Sequence, residues 1–233
     1  MHPRFTPKTL SFLRALKRNN KREWFAPRKA DYERDVRAPM IAVVEQLAKD
    51  FRRFAPELEA SPKTSIFRIY RDTRFSEDKS PYKTQIAAAF RAKALPKGQS
   101  AGMYVEVTPG WVWMGGGYYA PETPQLVKIR EHIAETWPEI RRITQAASFK
   151  RMFGAIDGEL LARVPRGFDK DDPAADYLRY RSFLVGREFP PEFATKPSFY
   201  PALVETFKAT MPLLRFLTEP FTSGRRAAPS GRG

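Results

Sequence analysis

Three arginines within seven residues, Arg68, Arg71 and Arg74, open the densest stretch of reactive side chains in the chain. The string runs on through Asp72, Asp78, Lys79, Tyr82 and Lys83. A guanidinium is a rigid fork of donors that grips a carboxylate or phosphate through two parallel bonds, so the pattern suits an anionic ligand. The same residues also suit an internal network, with the arginines pairing Asp72, Asp78 and Glu106 to pin a loop, and residue types leave both readings open. Any acid–base work would fall to Asp72, Asp78, Glu106, Tyr82 or a lysine.

Two further clusters could share such a site. Gly115-Gly116-Gly117-Tyr118 follows directly on a strand-like run, Trp111–Met114. Side-chain-free backbone can approach a ligand or a neighbouring strand closely, so Gly116, Gly117 and Tyr118 are expected either to form a turn against the anion or to end the strand in a bulge. No Gly-Lys-Ser/Thr follows, which excludes a P-loop. Arg166 and Lys170, in Pro165-Arg-Gly-Phe-Asp-Lys170, add two more cations. The nearby Asp169, Asp171 and Asp172 lack the glycine and glutamate of a calcium loop, and no metal is expected.

Composition removes other chemistries. There is no Cys, which excludes disulfides, thiolate nucleophiles and Cys-ligated metals. Only His2 and His132 are present. Ile129 and Ile133 are expected to face the core, turning His132 to solvent and leaving little ground for a Ser-His-Asp triad. No apolar run reaches the roughly 20 residues of a membrane span.

The elements that must position these residues read as α+β. Thr6-Pro7 starts a helix that Asn19-Asn20 ends. Residues 39–54 form an amphipathic helix with Ile41, Val44, Leu47, Ala48 and Phe51 on one face. The middle changes period, predicting strands near 65–71, 85–91, 102–108, 111–114 and 178–185 in one mostly antiparallel sheet. Pro109-Gly110 signals a hairpin between the third and fourth. Helices follow from Thr123, from Trp137 and around Phe149, and a last one spans 198–217 with a proline, Pro212, near its end. No linker separates two domains, so a single domain over 1–220 with a flexible basic tail over 221–233 is expected.

The formal net charge is +15. It is concentrated: residues 1–100 carry 23 basic and 11 acidic side chains, a balance of +12, whereas 101–200 carry 13 of each. The first 22 residues hold seven basic and no acidic groups, yet read as part of the fold rather than as a transit peptide. A concentrated positive field attracts phosphate groups or nucleic acid. The bland account is GC-rich coding, since Arg outnumbers Lys 26 to 15. The leading reading is an anionic, phosphate-bearing small molecule held by the Arg-rich string. The alternatives are sequence-nonspecific nucleic-acid binding by the basic first half and a metal-free enzyme. No cofactor, no membrane association and a cytoplasmic location are expected.

Several strings occur in an order that resembles a known family. They are Thr9-Leu-x-Phe-Leu13, Asn19-Asn20 with Trp24-Phe25, Tyr32, Phe67-Arg-Ile-Tyr-Arg-Asp-Thr-Arg-Phe-Ser-Glu-Asp-Lys-Ser-Pro-Tyr-Lys83, Gly115-Gly-Gly117 with Pro121, and Pro165-Arg-Gly-Phe-Asp-Lys170. Over about residues 5–218 the chain resembles the uncharacterised bacterial family known as domain of unknown function 2461. The resemblance implies a single-domain soluble protein and brings no established activity, cofactor or catalytic residue. The chain departs from the family pattern at Asp172-Pro173, where His-Pro is expected, and at Arg181, where Lys is expected.

Overall fold

A computed structural model describes residues 2–96 and 98–222. The tail expected over 221–233 therefore lies, from 223 onward, outside the described residues. The first helix, α1 (Pro7–Arg18), starts where Pro7 fills its first position and the Thr6 amide donates to the Thr9 hydroxyl at 3.3 Å. Short helical turns α2 (Arg22–Phe25) and α3 (Lys29–Tyr32) lead to the long α4 (Ala38–Phe54). Its buried face is Met40, Val43, Val44, Leu47 and Phe51. That face is rotated from the expected one, for Ile41 and Ala48 are only half-buried.

The strands β1 (Ile86–Arg91), β2 (Gly102–Val107), β3 (Val112–Tyr118) and β4 (Phe183–Phe189) form one antiparallel sheet in the order β1-β2-β3-β4. The α+β expectation holds. So does the hairpin: the Thr108 amide donates to the Trp111 carbonyl at 2.9 Å, and the Thr108 hydroxyl accepts from Gly110 N at 3.0 Å and Trp111 N at 2.9 Å.

Three strand expectations need correction. Residues 65–71 are not a strand of the sheet. Ser61 accepts from Lys63 N and, with Pro62 at the first position, seeds a helical turn, α5 (Pro62–Ser65). Beyond it only the isolated bridges Ile66–Ala88 and Tyr70–Tyr82 form, and the 82–88 arm carries two more residues between them than the 66–70 arm. Arg71 N does donate to the Pro81 carbonyl at 3.0 Å, but a proline has no N–H to return. Secondly, β3 does not stop at Met114; it continues straight through Gly115–Gly117, which are neither a turn nor a strand exit. Finally, the last strand begins at Phe183 rather than near 178, because α9 (Ala175–Leu178) precedes it.

The remaining helices are α6 (Thr123–Glu135), α7 (Trp137–Gln145), α8 (Ala147–Phe153), which Gly154 ends at φ +75°, and α10 (Phe199–Thr218). The chain divides into two compact units. The first is Met1–Phe90, Tyr104–Gly115 and Arg187–Lys208; the second is Arg91–Met103, Gly116–Gly186 and Ala209–Gly233. Within the first, Phe51, Phe90 and Phe207 meet at ring distances of 5.3–6.2 Å, and a second aromatic cluster joins Phe12, Trp24, Phe25, Tyr32 and Tyr82. Within the second, Ile129, Ile133, Ile140, Leu178, Phe183 and Leu214 are buried. His132 belongs here and does not face solvent: its ring lies 4.6 Å from that of Phe216 on α10. No described helix is long and apolar enough to cross a membrane.

Candidate functional site

The Arg-rich string is an irregular loop of the first unit, shaped by its own acids. Asp72 accepts from the Arg74 backbone amide at 3.2 Å, and Asp78 accepts from Ser80 N at 2.9 Å; each is a turn closed by a short side chain. The same carboxylates engage guanidinium groups. Arg74 meets Asp72 in bidentate fashion, at 3.0 and 2.7 Å, and Arg71 pairs with Asp78 while also reaching Ser76 Oγ at 3.3 Å. Lys79 bonds the Thr73 carbonyl across the loop at 3.1 Å. Both carboxyls are held below the ordinary range, Asp72 by Arg74, and Asp78 first by Ser80 and then by Arg71.

Two of the three expected arginine–acid pairs are thus present. Arg71 and Arg74 are paired, whereas among the described residues Arg68 forms no ion pair. Glu106 turns elsewhere, accepting from the Tyr104 hydroxyl and from Trp111 Nε1, each at 2.9 Å.

Asn20 holds the far end of the loop. Its amide nitrogen donates to the Tyr82 carbonyl at 2.9 Å and its amide oxygen accepts from Tyr82 N at 3.1 Å, as a neighbouring strand would. Tyr82 is buried, its ring stacked on Phe25 at 4.2 Å, and burial raises its phenol above the ordinary value.

Beside this clip lies a cleft of about 600 Å³ lined by Lys17, Asn20, Arg71, Asp72, Asp78, Ser80, Tyr82, Lys83, Thr84 and Gln85. A second, of about 400 Å³, shares Asn20 and Ser80 and adds Arg22, Thr73 and Lys79. Five of the expected site residues, Arg71, Asp72, Asp78, Tyr82 and Lys83, come together at the larger cleft. Lys17, Asn20, Ser80, Thr84 and Gln85 were not expected there. The Asn19-Asn20 pair was the only sequence signal for Asn20, and it read as a helix end.

Lys83 differs from the other cations. Its ammonium sits 5.0 Å over the Phe67 ring and is pushed below the ordinary lysine value, chiefly by burial and then by the charge of Arg68. Among the described residues neither Lys83 nor Lys17 has a carboxylate within 4.0 Å.

Of the other expected residues, Arg68, Arg74 and Lys79 lie in the first unit without lining the larger cleft, and Gly116, Gly117, Tyr118, Arg166 and Lys170 belong to the second unit. A Cβ on Gly116 would lie 2.6 Å from the Gly102 carbonyl oxygen, and one on Gly117, at φ +137°, would lie 1.8 Å from that of Phe183. The space beside both glycines is therefore filled by protein backbone. Tyr118 is buried, donates its hydroxyl to the Gly98 carbonyl, and has its phenol pushed up to about 12 by burial. Arg166 and Lys170 are exposed on a loop that turns at Gly167, and Asp172 accepts from Ala174 N at 2.7 Å just ahead of α9. Among the described residues no group of three His, Asp or Glu side chains is placed to hold a metal ion.

The model of a family described as conserved hypothetical protein (DUF2461) matches residues 8–216 of the chain. No curated protein and no solved structure matches it.

Proposed function

The chain belongs to the DUF2461 family, whose function is unknown, and on that premise we propose that its first unit binds a small phosphate-bearing anion in the cleft beside Lys83. One observation carries this reading: Lys83 is a partly buried cation next to a second cation, Arg68, and among the described residues no carboxylate lies within 4.0 Å of it. A lowered ammonium pKa means that the free protein holds this charge at a cost, and a bound anion removes that cost. Lys17 adds a positive wall and Asn20 and Gln85 add neutral hydrogen-bonding groups. Arg71 stands at the same cleft with Asp78 already on its fork, so the reading assigns the ligand's charge to Lys83 and Lys17 first, with the charge of Arg68 beside Lys83. No step of catalysis is part of it.

The test is thermal melting in inorganic phosphate, against sodium chloride of matched ionic strength. At a hundredfold excess over the dissociation constant a single site stabilises by about 2.7 kcal/mol. For a chain of this length that is a rise of roughly 5–11 °C. Lys83→Met should melt at or slightly above the wild-type temperature without phosphate and should lose most of the rise. An unchanged wild-type melting temperature, or an undiminished rise in Lys83→Met, refutes the reading.

A further inference from the structure

The outer face of the sheet in the first unit carries a row of aromatic rings that packing alone leaves unexplained. Phe67 lies 6.1 Å from Tyr104, and Tyr104 lies 6.0 Å from Trp113. Trp111 stands on the same face of the hairpin. Phe67 and Trp111 are 42% and 44% exposed, so both rings are open to a ligand. The rings are held rather than loose. Glu106 takes the Tyr104 hydroxyl on one oxygen and Trp111 Nε1 on the other, fixing both ring planes and occupying its own charge.

The row is continuous with the cations. Lys83 lies over the Phe67 ring and also lines the anion cleft, and Arg68 follows Phe67 in the chain. Two exposed and two half-buried rings on one face, with cations along one end, match a ligand whose flat apolar groups alternate with negative charges. A single-stranded nucleic acid is such a ligand. Its unstacked bases lie on aromatic side chains with little regard to sequence, while lysine and arginine track its phosphates. A double helix hides its base faces and would leave the rings unused.

We infer that this face stacks the bases of single-stranded DNA or RNA, with Phe67, Trp111 and Trp113 as the platform and Lys83, Arg68 and Lys17 taking phosphates. The inference rests on the anion-cleft reading for its phosphate contacts and adds the base platform to it. It places the bases on the sheet, and of the helices of residues 1–54 it uses only the end of α1, through Lys17.

The experiment titrates the protein with a twelve-residue oligothymidylate, an abasic oligomer of the same length and inorganic phosphate, following tryptophan fluorescence and anisotropy. Oligothymidylate should quench the fluorescence and bind more tightly than the abasic strand. Its affinity should fall about twentyfold between 50 and 200 mM salt, as three phosphate contacts on a single strand require. Phe67→Ala and Trp111→Ala, both at exposed positions, should weaken oligothymidylate by about five- to 150-fold and leave the phosphate response intact. Lys83→Met should weaken both. Equal binding of the thymidylate and abasic strands, or insensitivity to both ring variants, overturns the platform while sparing the anion cleft. Oligothymidylate binding without any phosphate response overturns the cleft reading instead. Absence of oligothymidylate binding at 50 mM salt overturns the inference whatever phosphate does.

Discussion

Asn20→Ala removes one small side chain and, with it, a pair of bonds joining the segment just after α1 to the backbone of Tyr82. Two hydrogen bonds of ordinary strength are worth about 0.5–1.5 kcal/mol each, and here both partners are part-buried main-chain groups of the same residue. A loss of about 2 kcal/mol follows. At this chain length that corresponds to roughly 4–8 °C in melting temperature. The loss is local as well as global, so the Tyr82 amide should exchange with deuterium about thirtyfold faster while amides of the Phe51–Phe90–Phe207 core change no more than the global stability requires. Asn20→Asp sharpens the assay. It keeps an acceptor for Tyr82 N but at neutral pH sets a carboxylate against the Tyr82 carbonyl, and it should recover part of the loss only as acid returns a donor. Differential scanning calorimetry with residue-resolved exchange measures both effects. A variant that melts within about 1 °C of wild type, with an unaltered Tyr82 amide, would show that the clip does not hold the loop.

Three other outcomes are expected. Gly117→Ala should destabilise by several kcal/mol or prevent folding, because the added methyl meets the Phe183 carbonyl oxygen at 1.8 Å and the residue sits at φ +137°; near-native urea unfolding of this variant would contradict the close approach of β3 and β4 there. Arg74→Ala should cost less than about 1 kcal/mol, since its partner Asp72 is itself exposed; a loss near 3 kcal/mol in urea titration would mean that the pair is far better shielded than it stands. Asp78 should titrate below the ordinary aspartate value of about 3.9, because Ser80 and Arg71 bond its ionised form. A lowered folded-state pKa gives stability that is fully present above the unfolded value and is lost only as the pH falls through the folded one, so the loop should keep its pairing at pH 4. Carbon-detected NMR of the carboxyl reads this directly, and a midpoint at or above 3.9 refutes it.

Local signals were enough for much of the framework. Thr6-Pro7 placed the start of α1, and Pro109-Gly110 placed the β2–β3 hairpin, because each is a statement about a few adjacent backbone angles. Signals failed where distant chain decides. The alternation over 65–71 resembles a strand, yet Ser61-Pro62 begins a helical turn and Pro81 cannot return a ladder bond, so only two bridges survive. Three consecutive glycines read as an ending; β3 instead continues through them because the backbones of Gly102 and Phe183 come too close for a side chain. At the candidate site the string 68–83 announced itself by charge, and Asp72 and Asp78 were legible as partners of arginines. Asn20 was not, since nothing at residue 20 states that residue 82 will lie beside it. Lys83 was one cation among many until its neighbours, Phe67 and Arg68, were known.

The pairs that shape the Arg-rich loop are short in sequence, Arg71 to Asp78 over seven residues and Arg74 to Asp72 over two, whereas Asn20 and Tyr82 are 62 apart. Closing the longer span costs roughly 2 kcal/mol more chain entropy than closing the seven-residue one. In time rather than in space, then, the short pairs close at the smaller entropic cost, and the clip is expected to fasten after them. A bond made late is absent from the folding barrier, so its removal leaves the folding rate almost untouched and appears as faster unfolding. Asn20→Ala is therefore expected to shorten how long the finished loop stays in place while leaving its rate of formation nearly unchanged, which stopped-flow folding and unfolding rates would read.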